Sequence, residues 1–185
     1  MKRTVWTFGL ISGGILSAMM LLTLPFVMGT SISMETGMAI GYTTMVLAFL
    51  LVFFGVRSYR DNVAGGRVGF GRAAAVGSLI VLVAAACYVA TWELIYFKLN
   101  PEYAQGFREA ALERAREQGG TPAEVERRVA RAQVWADRYD NPAVNAAITF
   151  LEPLPVGVVV VLVSAGVLSR ARRRDGEPGL APAPG

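Results

Sequence analysis

Four apolar stretches, each about as long as a helix needs to cross a bilayer, constrain this chain more than any other feature. A hydrocarbon core of about 30 Å takes roughly 20 helical residues at 1.5 Å each. Stretches 5–28, 37–56, 73–97 and 143–168 meet that length with few charges inside them. Hydrophobic residues make up 54% of the chain, and each stretch reads as a spanning helix rather than a buried soluble one. The expected fold is all-α: a polytopic membrane four-helix bundle over residues 1–174. A polar helical hairpin, 101–141, is inserted between the third and fourth helices.

The arginines set the orientation. Lys2 and Arg3 precede the first stretch, and Arg57, Arg60, Arg67 and Arg72 lie between the second and third. Arg170, Arg172, Arg173 and Arg174 follow the fourth, whereas the segment after the first carries only Glu35. If each stretch crosses once, all three basic segments share a side. The positive-inside rule then places both termini in the cytoplasm and the hairpin outside it. Residues 98–141 hold eight basic and eight acidic side chains, a balance that does not oppose translocation. The basic segments read first as topology determinants and second as contacts for anionic headgroups.

Composition excludes several chemistries. The chain has no histidine and one cysteine, Cys87. Ser-His and Cys-His catalysis, His-ligated haem and most zinc sites are therefore absent, as is an intramolecular disulfide. Cys87 lies in an apolar stretch and reads as an inert thiol. The first stretch exceeds the 7–15 residues of a signal-peptide core and lacks an A-x-A site, so it reads as a retained helix.

Within the polar segment, Thr121-Pro-Ala-Glu124 is a helix start with a capping residue, proline at the first helical position and the acid of a capping box. Gly119 and Gly120 before it suit the end of a preceding helix, and Asn141-Pro142 ends the second. Tyr103, Phe107, Ala111 and Leu112 mark an apolar face on the first helix. Val125, Val129, Ala132 and Ala136 mark one on the second. Interleaved acids argue against a nucleic-acid surface. The faces read as a solvated helix pair or as a docking surface for a periplasmic partner.

Several phrases, taken in order, resemble a known bacterial membrane family. They are Phe8-Gly-Leu-Ile-Ser-Gly13, Gly37-Met-Ala-Ile-Gly-Tyr42, Phe53-Phe-Gly-Val-Arg-Ser-Tyr-Arg60, Gly66-Arg-Val-Gly-Phe-Gly-Arg72 and Phe150-Leu-Glu-Pro-Leu-Pro-Val-Gly157. The chain resembles domain of unknown function 4199 over roughly residues 2–172. The resemblance implies a four-helix integral membrane protein of the bacterial inner membrane, with a polar segment between helices three and four. It implies no activity, cofactor or catalytic residue. The Pro/Gly-rich tail, 175–185, lies outside it and reads as a disordered cytoplasmic end.

Ionisable residues in membrane helices are costly and therefore point to function. Glu93 and Glu152 both fall toward the outer end of their stretches, and Glu35 opens the second stretch on the same side. Two close carboxylates can share a proton or hold a cation. The structural alternative is that headgroups, Lys98 or a hairpin arginine neutralise them, or that Glu152 caps a break made by Pro153 and Pro155. Gly9, Gly13, Gly14, Ser17 and Ala18, with Gly37 and Gly41, favour close helix packing within the bundle over dimerisation, though a homo-oligomer is compatible. Gly65-Gly-Arg-Val-Gly-Phe-Gly71 lacks the Lys-Ser/Thr of a phosphate loop and reads as a tight turn. Trp6, Trp92, Tyr88 and Tyr96 read as interfacial anchors. The expected function is that of a non-enzymatic membrane subunit or scaffold with no cofactor. The alternative is a small proton or cation carrier using Glu93 and Glu152.

Overall fold

The computed structural model describes residues 1–28, 34–99 and 101–174. The chain forms α1 (Lys2–Met28), α2 (Met34–Asn62), α3 (Phe70–Leu94), α4 (Pro101–Glu117), α5 (Pro122–Tyr139), α6 (Pro142–Leu151) and α7 (Leu154–Arg174). A π-helical turn, Ile95–Leu99, continues α3. No strand occurs among the described residues. The tail expected to be disordered, 175–185, lies outside them.

Four spans are long and apolar enough to cross a membrane: Lys2–Pro25, Ala39–Asn62, Phe70–Leu99 and Pro142–Ser169. No more than 39% of the apolar window in any of them is buried within the protein. Leu22, Leu47, Val159 and Val163 are all more than half exposed. An apolar exterior of this extent is unfavourable in water and neutral in hydrocarbon, which is the solvent it suits.

Glycine sets the register of the bundle. A Cβ on Gly9 would meet Val83 at 2.7 Å, and one on Gly13 would meet Cys87 at 2.6 Å. One turn on, the Thr91 hydroxyl donates to Ser17 Oγ at 2.7 Å. Each step of four along α1 thus matches a step of four along α3, so the two run parallel at close range. Gly77 of α3 faces Val161 of α7, and Gly157 of α7 faces Val81 of α3. Those helices are therefore antiparallel. Gly55 of α2 meets Phe8 and Ile80, which places the end of α2 beside the starts of α1 and α3. α3 packs against α1, α2, α6 and α7 and is the centre of the fold. Phe49, Val52, Val56, Val76 and Ile80 form its fully buried core. Gly14 and Gly41 meet nothing within 4 Å, so these two of the expected packing glycines do not hold helices together.

The bundle consequently has two unlike ends. Lys2, the turn after Asn62 and the end of α7 share one, called here the arginine end. The carboxylate end carries α4, α5 and α6. Gly65 and Gly66, at φ 68° and 82°, end α2 in the left-handed conformation that glycine adopts without a Cβ clash. The Gly66 amide closes the turn on the Arg60 carbonyl at 2.9 Å.

One expectation is corrected. Stretch 143–168 is not a single helix but α6 and α7, separated at Glu152 and Pro153. Pro153 and Pro155 have no amide proton to continue the ladder, and their rings crowd the preceding turn. The second stretch also runs on to Asn62 as helix. α4 and α5 pack on each other through a turn in which Gly119 and Gly120 have φ 65° and 112°. At the start of α5 the Thr121 amide and hydroxyl both donate to Glu124 Oε2 at 2.9 Å. These bonds hold the exposed Glu124 carboxyl below its usual range.

Candidate functional site

The break in the last span presents Glu152 to α3. Gly157 allows α7 to lie directly on Val81, and antiparallel packing then carries the chain past Tyr88 at the level of the break. The Tyr88 hydroxyl donates to Glu152 Oε2 at 2.9 Å. The carboxylate remains exposed, whereas Pro153 beside it is buried. Read as an anchor in the headgroup region, Tyr88 instead turns its hydroxyl onto an acid of the neighbouring span.

Glu93 lies five residues beyond Tyr88, about 7.5 Å further along α3 and about 140° around it. Its Oε1 is buried and makes no hydrogen bond among the described residues. Glu93 and Glu152 do not hydrogen-bond to each other. Both act electrostatically on a third residue, Tyr139, at the end of α5. Burial pushes the Tyr139 phenol above its ordinary range, Thr149 and Trp92 offset part of this, and the two carboxylates raise it further. No lysine or arginine nitrogen stands within 4 Å of either glutamate among the described residues. Lys98 is exposed, and Arg108 is engaged elsewhere. Glu35 stands in the first turn of α2, and its side chain lies outside the described ones.

A polar belt surrounds these residues. Asn145 of α6 is fully buried; its Nδ2 donates to the Tyr139 carbonyl at 3.2 Å and its Oδ1 accepts from Thr149 at 3.4 Å. Tyr96, in the π turn and 2% exposed, donates to Asp140 Oδ1 at 2.7 Å. Arg108 of α4 bonds the other Asp140 oxygen at 3.4 Å and also pairs with Asp137. Rings of Trp92 and Tyr139 flank Tyr96 at centroid distances of 5.8 and 5.5 Å. Tyr96 is thus an internal donor rather than an interfacial anchor. Tyr139, Asn145, Asp140 and Arg108 were not singled out by sequence. The signal for Asn145 and Thr149 was present, as two polar residues four apart in the apolar helix that opens the last span.

Chemically, the carboxylate end offers two glutamates that meet no cationic partner among the described residues, and a phenol, Tyr88, that donates to one of them. No three of His, Cys, Asp and Glu converge as a metal set among the described residues. A cavity of about 90 Å³ lies on the bundle side of Tyr88, lined by Leu16, Met20, Thr23, Thr44 and Met45 among others. Thr23 and Thr44 donate to carbonyls of their own helices, those of Met19 and Ile40, at 2.8 Å.

The family described as "Protein of unknown function (DUF4199)" matches residues 7–170. The chain belongs to this family. The match spans both ends of the bundle, from one residue before Phe8 to the first arginine after the last span. No curated protein and no solved structure matches the chain. Membership of DUF4199 brings no activity with it, so the functional reading rests on geometry.

Proposed function

We propose that this protein is a non-enzymatic subunit or scaffold of the bacterial inner membrane, with both termini cytoplasmic. In this reading α4 and α5 form an extracytoplasmic helical hairpin that presents a binding surface. The observation that carries it is the clamp at the base of α4 and α5. Asp140 is held by Tyr96 from α3's π turn and by Arg108 from α4, with Asp137 on the same guanidinium. A clamped base holds the two helices as a fixed arm. The arm exposes Val134 and Trp135 at 52% and 51%. It also carries an open groove between Arg116 of α4 and Pro122, Val125, Val129 and Gln133 of α5. Aromatic side chains with charged neighbours are typical of protein contacts.

Native mass spectrometry of the protein, extracted gently from its own membrane, tests this reading. A defined protein should co-purify and be lost on Trp135→Ala with the bundle intact. A clean monomer or homo-oligomer that is indifferent to Trp135→Ala contradicts it.

One observation favours a second reading, a proton or cation carrier. Glu93 and Glu152 meet no cationic partner among the described residues, and Tyr88 connects Glu152 to the wall of the cavity. Proteoliposome flux abolished by Glu93→Gln with Glu152→Gln supports a carrier, and flux unchanged or absent removes it.

A further inference from the structure

The arginine end is unlike the rest of the molecule in charge. Ten lysines and arginines lie there in sequence, against Asp61, Asp175 and Glu177, whereas residues 98–141 balance eight against eight. Asp61, the one described acid at that end, is occupied. Arg60 Nε reaches it at 2.7 Å and Arg57 Nε at 3.6 Å. Arg67 and Arg72, on either side of the start of α3, are exposed and meet no carboxylate within 4 Å among the described residues. Lys2 and Arg3, at the start of α1 on the same end of the bundle, are exposed as well and meet no carboxylate within 4 Å among the described residues.

Apolar side chains interleave with these cations. Val63 is 53% exposed, Phe70 48% and Trp6 57%, each within about one helical turn or a short loop of one of these cations. Val68, between Arg67 and Phe70, is buried at 3% and fixes the turn against the core. Guanidinium groups on a held turn, next to outward-facing rings and aliphatic side chains, match a ligand with a phosphate head and an apolar body. A soluble phosphate ester would satisfy the arginines alone and leave Val63, Phe70 and Trp6 exposed to water. A nucleic acid would offer bases to the rings, but these side chains stand where the spans end.

We propose that the turn between α2 and α3, with the start of α1, holds acidic phospholipid. Arg67 and Arg72 bind the headgroup phosphate, and Phe70 and Val63 lie against its glycerol and upper acyl region. The inference rests on the membrane-spanning reading of the four spans but not on the scaffold role.

The test is retention of phosphatidylglycerol against phosphatidylcholine by the full-length protein in mild detergent, read by native mass spectrometry. Each arginine near a membrane surface contributes about fivefold to attraction of anionic lipid. Arg67→Gln with Arg72→Gln should therefore lower phosphatidylglycerol retention at least fivefold and leave phosphatidylcholine retention unchanged. Arg116→Gln with Arg127→Gln, at the other end, should change neither. Phe70→Ser should weaken retention while the arginines remain, and soluble glycerol phosphate should not displace the lipid. Equal retention of the two lipids by the unaltered protein overturns the proposal, as does displacement by glycerol phosphate or an equal loss in both arginine pairs. A protein that leaves the membrane in aqueous buffer without detergent would instead overturn the spanning reading itself.

Discussion

At the scale of single residues, close contact separates side chains that look alike in sequence. Gly13 and Gly14 are neighbours in one small-residue stretch. A Cβ on Gly13 would meet Cys87 Cβ and Sγ at 2.6 and 2.8 Å, while one on Gly14 would meet nothing. Overpacking at such a contact costs about 1–3 kcal/mol. Gly13→Leu should therefore lower stability by about that much in denaturant titration of the detergent-solubilised protein, and Gly14→Ala should not lower it. The spacing of four was legible in sequence, but the face that meets α3 was not, because it depends on how α1 is rotated in the bundle. Tyr139 gives a second residue-level expectation, in pH. Burial raises its phenol above the ordinary value of about 10. The neutral form is thus favoured in the folded state. Its stabilising contribution is complete below pH about 10 and is lost as pH rises through the folded value. Tyr139→Phe should flatten the alkaline limb of a stability–pH profile, and an unchanged limb would contradict the burial.

At the scale of elements, the two proline-rich points behave differently. Asn141-Pro142 was legible as a boundary, and the Asn141 side chain caps α6 by accepting from Ala143 and Val144. Pro153 and Pro155 were legible as a possible break. That the break delivers Glu152 to Tyr88 was not, since the pairing spans 64 residues and depends on the α3–α7 register. Replacing both prolines by alanine should join α6 to α7 and move Glu152 off Tyr88. The loss can be read by a double-mutant cycle between Tyr88→Phe and Glu152→Gln, worth about 1 kcal/mol or more in the unaltered protein and about zero in the joined helix. The clamp on Asp140 belongs to this scale too. Its ion pairs are 35–60% exposed, so solvent screening limits each to below about 1 kcal/mol. Arg108→Met should raise hydrogen exchange in α4 by roughly two- to fivefold, leaving α1 to α3 unaffected. Loss of the whole bundle would contradict a local clamp.

At the scale of the molecule, the four apolar spans and the asymmetric arginines were the strongest signals in the chain. Both are patterns that a bilayer as solvent selects: its thickness sets the length of a span, and the positive-inside rule relates charge to side. The polar belt of Tyr88, Tyr96, Tyr139 and Asn145 was the least legible, because aromatic residues near span ends suit a headgroup region as well as an interior. The central claim is that the arginine end faces the cytoplasm and that α4 and α5 stand on the opposite side. Single cysteines at Asn62 and at Gln118, both exposed, placed in a Cys87→Ser background and probed with a membrane-impermeant thiol reagent on intact spheroplasts, test it most directly. Gln118→Cys should label at once, and Asn62→Cys only after the membrane is permeabilised. The reverse pattern, or immediate labelling at both positions, would contradict the account.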